Sequence, residues 1–141
     1  MSDEEAVAPK PDLGVSTEVV QTLMEVGYVA VGRGLRSHAE AIFRGVAAAR
    51  PGSDLPLVGL GVCRLNFGDY KGASEVLMKE ALKINPDSGL AKAFLAIVLK
   101  EMNMKAEAET LMETVKSTST DPAAVNLATS YLTGKDVGEE Q

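Results

Sequence analysis

What most constrains this chain is a set of marks that return at a fixed interval. Gly27, Gly61 and Ala96 lie 34 and 35 residues apart, and Gly34, Gly68 and Asn103 keep the same two intervals. Ala39, Ala73 and Ala108 repeat them again, while Pro51, Pro86 and Pro122 are spaced by 35 and 36. Four independent marks share one period, drifting by about a residue per unit, which chance alignment explains poorly. The clearest unit is 55–88, LPLVGLGVCRLNFGDYKGASEVLMKEALKINPDS. It reads as two short helices joined by a turn at Gly68-Asp69-Tyr70 and stopped by Asn85-Pro86-Asp87. Small residues recur on the first helix of each pair (Gly27, Gly61, Ala96) and on the second (Ala39, Ala73, Ala108). These six are the predicted repeat-packing positions, where helices must approach closely. A pair of antiparallel helices cannot bury its apolar face alone, so stacked copies have to share one continuous core.

Length and composition agree with one helical domain. The chain has 141 residues, 45% of them apolar, with no Trp. That is enough for one real core and too little for two. The formal net charge of −6 argues against a phosphate-backbone binder, which needs clustered Lys and Arg, so no nucleic-acid partner is predicted. No run approaches the roughly 18 apolar residues of a membrane span, and no signal-peptide pattern opens the chain. Cys63 is the only cysteine, so no internal disulfide can form, and a reducing cytoplasm is the natural compartment.

In chain order, residues 1–15 carry Asp3-Glu4-Glu5, Pro9, Pro11 and Gly14 without apolar periodicity and read as a flexible acidic tail. A domain over 16–134 follows, with repeats at 20–53, 54–88 and 89–121. Ser16 or Thr17 is a suitable first cap, with Asp54, Asp87 or Ser88, and Asp121 for the later pairs. Ala73 to Ala81 spans eight residues where seven is usual for a repeat unit of this kind, so a slight bulge or shifted helix end is predicted there. Asn103 stands where the other units have glycine, and Asn is the non-glycine residue that best accepts positive φ. A single helix over 122–133 is predicted to cap the open end of the stack, as repeat arrays require, and 135–141 is a second flexible, charged tail.

Little in the sequence supports chemistry. His38 is the only histidine, and there is no GxxxxGK[ST], GxGxxG or CxxC motif. Cys63 falls inside an apolar helix, where an inert packed thiol is the ordinary case. The paired carboxylates, such as Glu4-Glu5 and Glu107/Glu109, occupy ordinary solvated positions. The prediction is no enzyme, no metal and no cofactor.

The 34-residue helix-turn-helix unit resembles the tetratricopeptide repeat (TPR). The resemblance implies an all-α fold of three repeats in a right-handed superhelix with the C-terminal capping helix. In that family the first helix of each pair lines a concave groove. Carried over by spacing, the groove positions are Gln21, Met24, Tyr28 and Val31, then Leu55, Val58, Val62 and Leu65, then Leu90, Ala93, Ile97 and Lys100. The family's clamp for a peptide carboxylate needs Lys, Asn and Arg at such places. Here Met24, Tyr28, Gly59, Leu90 and Phe94 stand instead, so that clamp is absent. An apolar groove needs an occupant: an amphipathic helix of a partner, the chain's own capping helix, or a second copy in a homodimer.

Segments such as Ala48-Ala49-Arg50-Pro51-Gly52-Ser53 and Ala91-Lys92-Ala93-Phe94-Leu95-Ala96 are similar to the small TPR chaperones of bacterial type III secretion, the needle-subunit and Hrp types. That resemblance implies a cytoplasmic chaperone holding the amphipathic helix of a needle-type subunit, often beside a small co-chaperone, and preventing premature polymerisation. It leaves open a chaperone for pore-forming translocators, or a scaffold acting through self-association.

Overall fold

The computed structural model describes residues 14–134. The readings of both tails as flexible concern mainly 1–13 and 135–141, which lie outside the described residues. Among those described there are seven helices and no strand. They are α1 Thr17–Gly32, α2 Arg36–Ala49, α3 Leu55–Asn66, α4 from Tyr70 to Ile84, α5 Gly89–Glu101, α6 Lys105–Thr118 and α7 Pro122–Thr133. Helix α4 is a composite: Tyr70–Val76 is α-helical, Leu77–Ala81 forms a π turn, and Leu82–Ile84 returns to α geometry.

The π turn is where the extra residue of this unit goes. One added residue would rotate Ala81 by about 100° off the face that Ala73 occupies. Widening one turn absorbs it, and both alanines end fully buried.

Local signals set most of the ends. Ser16, Ser88 and Asp121 each accept a hydrogen bond from a first-turn N–H of the helix that follows, from Val19, Ala91 and Ala123 respectively. Asp54 does not cap α3, although its sequence position suits that role. Its backbone is already helical, and Ser53 Oγ accepts from Leu55 N at 3.3 Å instead. The turns between paired helices each use one left-handed residue: Gly34, Gly68 and Asn103, with φ of 77°, 78° and 64°.

The six repeat-packing positions are all buried. A Cβ on Gly61 would stand 2.7 Å from Leu77 Cγ, and one on Gly27 would stand 2.8 Å from the Phe43 ring, so only a hydrogen fits at either place. One apolar cluster runs through α1 to α5 and a second joins α5, α6 and α7, with Leu90, Leu99 and Leu111 packed against both.

Ion pairs tie the second helices to their neighbours. Arg44 grips Glu80 through two hydrogen bonds of 2.6 and 3.1 Å, linking α2 to α4. Arg36 bonds both Glu40 and Asp69, and Arg64 of α3 reaches the same Glu40 carboxylate.

Candidate partner-binding groove

The first helices form one layer: α1 touches α3, α3 touches α5, and α5 touches α7. The second helices α2, α4 and α6 are not packed on one another in this way. A layer that is close together on one side and splayed on the other is curved, and its close side is the concave one. The groove therefore belongs to α1, α3, α5 and α7.

Its lining is apolar and half-open. Met24, Val62, Leu65, Leu90, Phe94 and Ile97 pack against the core with one edge while remaining partly accessible. Leu55 and Tyr28 stand out further, at 50% and 40% exposure. Tyr28 meets Phe43 edge to face, with ring centroids 5.0 Å apart, and burial pushes its phenol above the ordinary range. At the other end, Lys100 lies 5.6 Å from the ring centroid of Tyr131 on α7.

Three of the spacing-derived positions are not lining. Val58 is 2% exposed, and Val31 and Ala93 are buried as well, so they pack from below and offer no surface to a partner. For Val58 the continuous apolar run of α3 explains the difference. With neighbours on α1, α2, α4 and α5, most of that helix's circumference is covered. Gln21 and Lys100 are exposed at the borders.

The loop end of the groove opens into a cleft of about 790 Å³. The three connections between repeats build it, contributing Ser53 and Asp54, Asn85 and Asp87, and Ser119 and Asp121. Leu55 and Leu90 belong to cleft and groove alike, and Lys92 adds a cation. Sequence reading missed this cleft, because its walls come from three loops more than thirty residues apart. Tyr131 was also missed as a groove residue, because α7 was read only as a cap.

Nothing in the groove is arranged for bond-making chemistry. Cys63 is fully buried, and burial first, then the nearby Glu40 charge, raises its thiol pKa, which disfavours the reactive thiolate. His38 is exposed on α2. Among the described residues no three His, Cys, Asp or Glu side chains gather as a metal site, and no helix is long and apolar enough to cross a membrane. The arrangement suits holding an apolar helix face.

This geometry defines a TPR-type helical array, and comparison with solved structures agrees. The translocator chaperone SycD of Yersinia enterocolitica superposes with a TM-score of 0.70 at 18% identity, over 84% of this chain and 91% of that one. PcrH of Pseudomonas aeruginosa gives 0.67 at 19% identity, over 86% and 94%. The TPR domain of Sgt2 from Aspergillus fumigatus gives 0.64 at 15%, over 88% and 85%. SycD has also been solved with a peptide of the translocator YopD, and PcrH with the chaperone-binding regions of PopB and PopD. At these identities the likeness establishes the fold. No curated protein sequence matches the chain. Residues 12–137 match the bacterial type III secretion protein family HrpB1_HrpK, and the chain belongs to that family.

Proposed function

We propose that this protein is a type III secretion chaperone that holds an amphipathic helix of a secreted client in the groove formed by α1, α3, α5 and α7. The observation that carries the reading is the row of half-open apolar side chains from Tyr28 through Val62 and Leu65 to Leu90, Phe94 and Ile97. A client that exposes an apolar helix face tends to aggregate or assemble early, and burying that face prevents both. Each large side chain buried contributes roughly 1.5–3 kcal/mol, before the entropic cost of ordering the client.

Of the two client types, a translocator segment is better supported than a needle-type subunit. The similar chaperones SycD and PcrH have been solved with translocator segments bound. A small co-chaperone has no specific support in the groove's geometry.

The test is fluorescence anisotropy with two labelled peptides from the same secretion system: a translocator's chaperone-binding region and the C-terminal helix of its needle subunit. Saturable binding of the translocator peptide, lost in Val62→Asp, is the expected result. Binding of the needle peptide alone would restore the needle-subunit reading. Binding of neither would remove the chaperone reading.

A further inference from the structure

The edge of the groove formed by the three loops between repeats carries a charge that the apolar row does not explain. Asp54, Asp87 and Asp121 all line the cleft there, against Lys92 as the cation among its lining residues. Asp54 and Asp121 are half-buried and Asp87 is exposed. Among the described residues, neither Asp54, Asp87 nor Lys92 enters an ion pair. Asp121 accepts one hydrogen bond, from Ala123 N. Three acids against one lysine leave this edge negative.

The acids come one per repeat, at the starts of α3, α5 and α7, and those helices touch in that order. Neighbouring helices pack with their axes about 8–10 Å apart. A segment crossing the first helices therefore passes one carboxylate about every 9 Å, roughly six residues of helix or three of extended chain. Lys100, near the end of α5, stands at the opposite border of the groove. The two edges differ in sign.

We infer that the client is basic along one flank, an inference that rests on the groove reading above and deepens it. Its apolar face fills the row from Tyr28 to Ile97, and its Lys or Arg side chains reach the loop edge. Charge favours this occupant over the others. Residues 1–13 hold four acids against Lys10, and a second copy brings the same net charge of −6. Either would set like charge against the edge. The acids are not arranged for a bare metal ion, because no three His, Cys, Asp or Glu among the described residues gather as a metal site. A cation on a long side chain needs no such convergence. Each Lys or Arg meets one carboxylate, in a partly buried cleft where water screens the pair less than on an open surface.

The test is the salt dependence of binding, read by fluorescence anisotropy with the labelled chaperone-binding region of a translocator from the same secretion system. Full-length wild type is compared with the double variant Asp54→Asn/Asp87→Asn and with Val62→Asp. Asp121 is left in place because it caps α7. Asp54 and Asp87 lie outside the helices, so the double variant is expected to keep its helical circular-dichroism signal. The wild-type dissociation constant is expected to rise about 10-fold between about 0.05 and 0.5 M salt, whereas apolar burial alone is not weakened by added salt. The double variant is expected to bind about 10-fold more weakly at low salt and to lose most of the salt dependence. Gln in place of every Lys and Arg of the peptide is expected to do the same to the wild type.

A wild-type affinity indifferent to salt, equal salt dependence in wild type and double variant, or a bound peptide without Lys or Arg would each overturn the basic flank. The groove reading would survive these results as long as Val62→Asp abolished binding. Salt dependence lost on deleting residues 1–13 would give the edge to the chain's own segment, and peptide affinity falling as protein concentration rises would give it to a second copy. Either result overturns the inference. No binding by any form would remove the groove reading and this inference with it.

Discussion

The ring of Phe43 lies so close to the backbone of Gly59 that a Cβ on Gly59 would stand 2.6 Å from ring atom Cε1. Phe43 belongs to the first repeat and Gly59 to the second, so the contact is the seam between them. The same ring closes over Gly27, and it is fully buried. One aromatic side chain thus sets how closely α1, α2 and α3 come together, and with that the floor of the groove.

Gly59→Ala forces this seam apart. A single methyl inserted into a packed core costs typically 1–3 kcal/mol, and Phe43 has no free side to move toward. Urea denaturation is expected to show an unfolding free energy lowered by that amount, read as a lower midpoint at an unchanged slope. An unchanged midpoint would mean that the ring yields freely.

The groove and the core can be separated by mutation. Val62→Asp places a charge on a partly accessible edge, whereas Val58→Asp places it in a fully packed site. The first variant is expected to keep its thermal melt within a few degrees and lose client binding. The second is expected to unfold, because an unpaired buried charge is too costly to hold. Circular-dichroism melts of the two, side by side, check the facing of α3. Collapse of both would place Val62 in the core.

Asn103 offers a test of turn geometry. Its φ of 64° costs an ordinary residue about 1–2 kcal/mol and costs glycine almost nothing. Asn103→Gly should be neutral or slightly stabilising and Asn103→Val destabilising by about that amount, measured by chemical denaturation.

Acid should loosen the ties between second helices. Burial would raise the Glu40 carboxyl, but hydrogen bonds from Arg36 and Arg64 outweigh it and hold the group below its ordinary value. Asp69 is lowered by the Gly72 N–H and then by Arg36, and Glu80 by Arg44. A carboxylate lowered on folding contributes stability above its unfolded pKa, near 4, and loses it as the pH falls through the folded value. Stability is therefore expected to stay flat from pH 7 to about 5 and to drop below about 4. Glu40→Gln should cost about 1 kcal/mol at neutral pH and progressively less in acid, as the pH falls through the folded value and the wild-type carboxylate takes up its proton. Equal cost at neutral and acid pH would show that the carboxylate charge contributes nothing.

The period of the small residues made the fold legible before any coordinates. It pointed to the all-helical repeat fold, the positive φ of Asn103 and the irregularity that became the π turn at Leu77–Ala81. These features are local or strictly periodic, so spacing alone carries them. The groove was only partly legible. LPLVGLGVC has no polar residue to mark its open side, so Val58 and Val62 look equivalent in sequence although the array buries one and leaves the other half-open. Ala93 and Val31 were misplaced as well, on helices that do carry polar residues, because the spacing alone does not show how deeply each position packs against its neighbours. The cleft beside Leu55 and Leu90 was out of reach, because it exists only once three distant loops are brought together. The exposed side of α1 was visible as valines and leucine, but which side faced outward depended on how α2 and α3 pack.

The measurement that bears most directly on the central claim is native mass spectrometry of the protein purified gently from its own cells. The account predicts a complex in which each copy carries one secreted subunit with an amphipathic helical segment, and in which Val62→Asp loses that subunit. Wild-type protein that carries no secreted subunit while its secretion system is expressed would contradict it.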